Sequence, residues 1–459
     1  MKVLLIEPPF SPNQVHSKGL GLAEPLSLEV LAGSLRHHDV RILDMRLDPD
    51  LPRALTDFQP DIVGAGCYTT GVYTTRALFR RVKELAPEVR TVVGGHHATL
   101  LPQDFLDESI DVICVGEGEE TLRELVDTYE QGGDIGRVPG LALRRDGTLF
   151  FTGERPLLNL DQAPWPNREL VSQYRPHYFR GSWKPIVSLN TERGCPFRCD
   201  FCSMWKFNRG KYRVRSAESV VAEIAALRER YVDFIDDNTL HDVRRAEAIA
   251  DRLKAANLKK QYKAYARSDT IAKHPALVEK WRDIGLKIVL IGLESFKQSD
   301  LDSYGKRNTI ANNEEAIRIL KANDIEICSY FVIRPDWQPE DFQKLMDYVE
   351  RWELTHPIFT VLTPLPGTEY YEQVRSQLTD DNYEHLDFFH VVLPTAMPLQ
   401  DFYYAFYRLW KKGYSARNLL RKLRRGDLRL SWTQIRGFRS FMRDLRMLAA
   451  GAAPQKAGR

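Results

Sequence analysis

Twice along this chain, short apolar runs rich in Val, Ile and Leu alternate with stretches of helical periodicity, and no other feature restricts the fold so tightly. In the first series KVLLIEPP, VRILDM, DIVGAGCYTT, RTVVGGHHAT and DVICVGEG read as strands, each ending near Gly, Pro or Thr. LSLEVLAGSLRHH, TTRALFRRVKELA and ETLRELVDTYEQ read as the helices between them. Strands joined through helices run parallel, and a parallel sheet needs cover on both faces. Residues 1–145 are therefore expected to form a doubly wound α/β domain that binds ligands at the carboxyl ends of its strands. Residues 146–185 are Pro-rich and aperiodic and read as an ordered linker. The second series, residues 186–375, offers PIVSLNTE, YVDFIDDN, QYKAYARSD, KIVLIGLES, EICSYFVI and IFTVLTP as strands. Six such units are two short of a closed eight-unit barrel, so an open, partial (β/α)6 barrel is expected. Residues 376–459 keep helical periodicity, first aromatic and then basic.

A length of 459 residues suits two or three domains, and a net charge of +3 carries no global nucleic-acid signature. No apolar run approaches the roughly 18 residues of a spanning helix, and the N-terminal apolar stretch is too short for a signal peptide. A cytoplasmic protein is expected, and in that reducing compartment clustered cysteines hold metal more often than disulfides. Half of the six cysteines fall in TERGCPFRCDFCSMWKF, residues 191–207. Cys195, Cys199 and Cys202 stand four and three positions apart. A structural zinc wants four protein ligands, and no fourth Cys or His lies within ten residues, so a zinc site would need a distant ligand. A 4Fe-4S cluster on three cysteines instead leaves one iron open to a substrate. Placed after the first strand of the second series, the loop would hold that iron in the barrel mouth. Cys67, Cys114 and Cys328 fall within strands and read as inert core thiols.

C-x3-C-x2-C with Phe201 directly before the last cysteine resembles the radical S-adenosylmethionine (SAM) signature. The resemblance implies that the open iron chelates the amino and carboxylate groups of SAM. An electron from the cluster would then cleave SAM to methionine and a 5′-deoxyadenosyl radical, with Phe201 near the adenine. It also implies that Glu294 in IGLES steadies bound SAM and that Arg267 and Ser268 in YARSD meet its carboxylate or ribose. Asp236, Asp237 and Asn238 in FIDDN end the second barrel strand, where they either meet SAM or cap the following helix. The first domain resembles a cobalamin-binding domain. The residues that carry this are Gly94, Gly95 and His96 in VVGGHHATLLPQ, Gly116, Glu117 and Gly118 in VGEGEET, and Thr69 and Thr70 in GCYTT. By the resemblance these surround the nucleotide tail, and His96 and His97 line the tail loop or meet solvent rather than ligate cobalt. Many such domains carry D-x-H-x-x-G after the first strand. Here IEPPFSPNQVHSKG contains His16 but lacks the Asp and the spacing, which implies cobalamin without a protein imidazole beneath the cobalt.

Further stretches, PDW and VLPTAMP among them, are most similar to the hopanoid C-3 methylases. CSMWKF is shared with the oxidative ring cyclases of bacteriochlorophyll synthesis, so a tetrapyrrole methylase or cyclase is the alternative. The resemblance implies methylation of an unactivated carbon of a hopanoid-like polycyclic lipid. A deoxyadenosyl radical would abstract hydrogen, methylcobalamin would donate the methyl group, and a second SAM would remethylate the cobalamin. No His, Cys or carboxylate pair stands out as an acid–base, so no catalytic residue is expected beyond the cofactor ligands. The intact cysteine motif argues against a non-catalytic sensor. An electron donor such as flavodoxin or ferredoxin is implied, and no nucleic acid. DFYYAFYRLWKKGY walls a channel or packs as a helix. The Arg-rich segment from Arg417 to Met447 lies on an anionic membrane surface, as a peripheral contact at the inner face, or covers a packed stripe.

Overall fold

In the computed structural model of the chain, residues 1–15, 21–415, 418 and 432–451 are described. They form two compact units: one comprises Met1–Gln14, Glu24–Pro176 and Asn382–Glu384, and the other the rest.

The first unit is built on strands β1 (Lys2–Glu7), β2 (Asp39–Asp44), β3 (Ile62–Gly66), β4 (Arg90–Gly94), β5 (Val112–Cys114), β6 (Leu141–Arg145) and β7 (Thr148–Phe151). Their order is β2-β1-β3-β4-β5-β6-β7. The first five pair in parallel, with Leu4 opposite Arg41 and Val63. Val3, Leu4, Leu5 and Ile6 are all buried, because helices cover both faces and no side of the strand meets water. The sheet then continues through an antiparallel hairpin, β6–β7. Asp146 and Gly147 turn it, both at positive φ, as a two-residue hairpin loop requires.

The second unit holds β8 (Ile186–Leu189), β9 (Tyr231–Phe234), β10 (Gln261–Ala266), β11 (Leu286–Glu294), β12 (Glu326–Ile333) and β13 (His356–Val361). These six strands are parallel and lie in sequence order, the sheet of a partial (β/α)6 barrel. Strand alternation divides them cleanly. Val232, Phe234, Tyr262, Ala264, Val289 and Ile291 join the core beneath the helices, with Trp281 donating its ring N–H to the Ala246 carbonyl at 3.1 Å. Their neighbours Asp233, Lys263, Tyr265 and Tyr330 face the other way, into the barrel. Because all six strands run alike, their carboxyl ends share one edge, and the loops that carry the cysteines, Asp236, Arg267 and Glu294 leave from it.

The helix Leu399–Gly413 packs Phe402, Phe406, Leu409 and Trp410 against the barrel. The helix Trp432–Ala449 lays Phe441 on Trp410, ring centroids 4.7 Å apart, and buries Leu445 and Leu448 beside it. Its apolar stripe is thus covered, while Arg436, Arg439, Arg443 and Arg446 stay exposed. Arg417 and the basic run that follows it up to residue 431 lie outside the described residues, apart from Asn418. No helix among the described residues is long and apolar enough to cross a membrane.

Candidate cluster and cofactor sites

The cysteine loop leaves the end of β8 and is closed at its base, where Glu192–Arg193 pairs antiparallel with Arg213–Val214. Gly194 sits at φ +85°, and a Cβ there would stand 2.1 Å from the Lys211 carbonyl, so the loop closes only over a glycine. The Cys202 amide donates to the Cys199 carbonyl at 3.0 Å, turning the chain between these two thiols. Asp200 is tied to the Tyr304 carbonyl through its amide and to the Tyr370 amide through its carbonyl. Burial pushes the Cys195 thiol up to about 11 and Cys202 to about 12, and it raises Cys199 as well. Each of Cys195 and Cys202 is raised further by the charge of neighbouring cysteines, so the three sulfurs lie within electrostatic range of one another. Among the described residues no group of three or more His, Cys, Asp or Glu side chains already stands at metal-binding separation. The loop keeps three protonated thiols in company, and iron binding would displace their protons. With the positive charges described below, that donor set fits a thiolate-held cluster.

Beneath the loop lies a set of buried carboxylates. Asp236 accepts from the Thr191 amide at 2.5 Å, the Thr191 hydroxyl at 2.7 Å and the Glu192 amide at 3.1 Å. Glu192 accepts from the Tyr212 hydroxyl at 2.7 Å and the Asn238 amide at 2.9 Å. Arg245 completes the clamp by donating to the carbonyls of Thr191 and Arg215, one at each end of the loop. Burial, then the charge of Asp236, pushes Glu192 up to about 9, and burial raises Asp236 and Asp237 as well. Asp236 therefore binds the chain that leads into the cysteines. Asn238 accepts from the Arg267 amide at 3.2 Å, and its buried Nδ2 has no partner among the described residues.

Arg267, at the end of β10, lies over the Phe197 ring at 3.6 Å and donates to the Lys306 carbonyl at 2.9 Å. Ser268 is fully buried; it donates to Asn313 Oδ1 at 2.5 Å and accepts from Asn308 Nδ2 at 2.6 Å. Its hydroxyl is taken up by that amide network. Glu294 ends β11 at φ +61° after a register shift and receives Lys306 Nζ at 2.5 Å. Gly292 makes room for that pair, since a Cβ would sit 2.3 Å from Glu294 Oε1. Lys306, which sequence reasoning missed, is the strongest positive influence on Cys199, ahead of Arg267. Phe201 meets Tyr304 edge-on, centroids 5.5 Å apart.

In the first unit the positions singled out in the sequence gather at the carboxyl ends of β3, β4 and β5. Gly95, at φ +92°, passes so close to β3 that a Cβ would be 2.9 Å from the Cys67 amide. Gly94 precedes it, and Gly116 at φ +91° donates to Thr99 Oγ1 at 3.0 Å. Thr70 accepts through its carbonyl from the Ser11 hydroxyl. Glu117 accepts from the Leu158 amide at 2.8 Å. Gly118 serves helix contact, since a Cβ there would press on Leu31 at 2.9 Å. His97 does not meet solvent. The short helix His96–Leu100 turns it inward, where its ring nitrogens meet Thr69 Oγ1 at 3.1 Å and Asp104 Oδ2 at 2.9 Å. His96 stacks on Tyr68, and burial lowers it to about 4, which keeps the imidazole neutral. His16 lies outside the described residues. Burial holds Cys67 and Cys114 up to about 12, as unreactive thiols.

A strand-edge glycine cradle on a doubly wound sheet and a three-cysteine loop on a partial barrel define the class, and comparison with known proteins agrees with both. Residues 16–126 match the B12 binding domain family, and residues 189–349 match the Radical SAM superfamily. The chain belongs to the cobalamin-dependent radical SAM enzymes of the methyltransferase and cyclase family, whose cofactors are a 4Fe-4S cluster, SAM and cobalamin. It is 31% identical to the hopanoid C-3 methylase of Methylococcus capsulatus across 97% of this chain and 86% of that one. It is 30% identical to the anaerobic magnesium-protoporphyrin IX monomethyl ester cyclase of Rubrivivax gelatinosus, over 86% and 74% of the two chains. In fold it is similar to the radical SAM methyltransferase TsrM of Kitasatospora setae, with a TM-score of 0.69 at 18% identity, covering 98% of this chain and 99% of that one.

Proposed function

We propose that this enzyme methylates an unactivated carbon of a hopanoid-like polycyclic lipid. The observation that carries the reading is the similarity to the Methylococcus hopanoid C-3 methylase across nearly the whole of both chains. Such a carbon has no lone pair to offer, so the cluster with SAM supplies a radical for hydrogen abstraction and cobalamin supplies the methyl group when bound. The chain's own residues bind and position. Cys195, Cys199 and Cys202 hold the cluster, while Asp236, Glu192 and Arg245 fix their loop. Phe201, Asn238, Arg267 and Glu294 meet SAM, with Asn238 Nδ2 the donor still to be matched. Lys306 sets the carboxylate of Glu294, and Ser268 acts through Asn308 and Asn313. Thr69, Thr70, Gly94, Gly95, His96 and Gly116 line the cobalamin tail site, supported from behind by Glu117 and Gly118. A small acidic electron carrier of the flavodoxin or ferredoxin kind serves as reductant. The exposed arginines of the last helix give a salt-sensitive contact to anionic lipid, at about 1 kcal/mol for each charge near the surface.

Lipid analysis of a deletion strain tests the reading. Hopanoids carrying the extra ring methyl should disappear and return with the wild-type chain but not with a Cys199→Ala chain. The second reading, a tetrapyrrole methylase or ring cyclase, draws on the similarity to the Rubrivivax cyclase. Unchanged hopanoids with altered tetrapyrroles would favour it and end the first.

A further inference from the structure

Interiors of βα barrels are usually filled by branched apolar side chains. The inner face of this one carries charge. Asp233, on β9, accepts Lys263 Nζ of β10 at 3.0 and 3.2 Å on its two oxygens. Arg180, from the chain just before β8, brings Nε to the same carboxylate at 2.9 Å. Lys263 also donates to the Tyr265 hydroxyl at 3.1 Å. Two cations thus face one carboxylate, and Lys263 is buried away from bulk water. Burial lowers Lys263 to about 8, against the opposing pull of Asp233.

What remains in this cluster is donor capacity. Both oxygens of Asp233 are engaged, whereas the two terminal nitrogens of Arg180 have no partner among the described residues. Tyr265, Tyr330 and Cys328 lie close enough to act electrostatically on the guanidinium, yet 40% of the Arg180 side chain stays accessible. A group so surrounded and still accessible lines a hollow. An unpaired guanidinium fork matches a planar or tetrahedral oxyanion, which it can bind through two parallel hydrogen bonds.

We propose that the barrel lumen contains an oxyanion subsite, with Arg180 as the direct ligand of a carboxylate or phosphate on the substrate and Lys263 as its positioning residue through Asp233. Lys263 lies four residues before Arg267, which directly follows β10, so Lys263 and the subsite it positions lie about 13 Å below the mouth. The substrate therefore carries its anionic end at about that distance from the carbon that reacts. This inference rests on the lumen being the substrate chamber of the proposed methyltransferase, and it adds to a polycyclic body a charged end.

Calorimetric titration of the full-length, cofactor-loaded protein tests it with three probes: a pentacyclic triterpenoid carboxylic acid, its methyl ester, and octanoate. The acid should bind about tenfold more tightly than the ester, the difference expected for one hydrogen-bonded charge. Arg180→Met should remove that preference while cobalamin and iron content stay at wild-type levels. Asp233→Asn frees both cations and should strengthen acid binding, and it carries the test if Arg180→Met fails to fold. Equal affinity for acid and ester overturns the subsite and leaves the polycyclic reading standing. Binding of octanoate that depends on Arg180, with neither triterpenoid bound, supports the subsite and contradicts the polycyclic reading. No Arg180-dependent binding of either carboxylate overturns the subsite.

Discussion

Alanine in place of Cys195, Cys199 or Cys202 should give a folded protein that holds no 4Fe-4S iron and releases no 5′-deoxyadenosine from SAM. Each removes one of three ligands, and the loop has no other thiol to substitute. Cys67, Cys114 and Cys328 are buried elsewhere, in β-strand or strand-end positions. Alanine at any of these three should cost only the packing of a small side chain and leave iron content and SAM cleavage intact. Iron and sulfide assays on anaerobically reconstituted protein, with chromatography of the nucleoside product, compare all six variants. A requirement for one of the outlying cysteines would place the cluster elsewhere.

Asp236→Ala should be nearly as damaging without touching a ligand. It leaves the amides of Thr191 and Glu192 and the Thr191 hydroxyl buried without their acceptor, at about 1–3 kcal/mol each. The loss falls on the segment that leads into the cysteines, so iron content should drop sharply while the cobalamin-binding unit keeps its cofactor. The neighbouring Glu192 gives the site a pH dependence of known sign. Its folded-state pKa lies above the ordinary carboxylate value, so the folded state binds the extra proton. That contribution is full below the ordinary carboxylate range and is lost as pH rises through about 9. Thermal melts should therefore show the loop-bearing unit weakening on the alkaline side, and Glu192→Gln, which mimics the protonated form, should flatten the trend. Destabilisation on the acid side alone would show that the buried proton is not where we place it.

Most of the architecture could be read from residues because each buried parallel strand is a dense apolar run that ends at a loop of Gly, Thr or Asp. VVGG and YVDFIDDN could hardly be anything else. The β6–β7 hairpin escaped, although its signal was present: Asp146–Gly147 between short strands is a two-residue hairpin turn. It was hidden by the proline-rich stretch that follows. The cysteines were legible because their chemistry depends on spacing along the chain. Glu192, Lys306, Arg245 and Arg180 were not. Each is a single charged residue whose meaning comes from a partner that sheet pairing or loop closure brings to it from far along the chain. Sequence leaves His97 either lining the tail loop or meeting solvent, and one helical turn beginning at His96 carries it away from solvent. The same turn leaves His96 stacked on Tyr68.

The most direct test of a cobalamin-dependent radical methyltransferase counts its two uses of SAM. The reconstituted enzyme, incubated anaerobically with reductant, SAM and a hopanoid substrate, should form 5′-deoxyadenosine, S-adenosylhomocysteine and methylated lipid in equal amounts. Hydrogen abstraction accounts for the first, and renewal of the methyl donor for the second. Methylated product with S-adenosylhomocysteine but no 5′-deoxyadenosine would contradict the account.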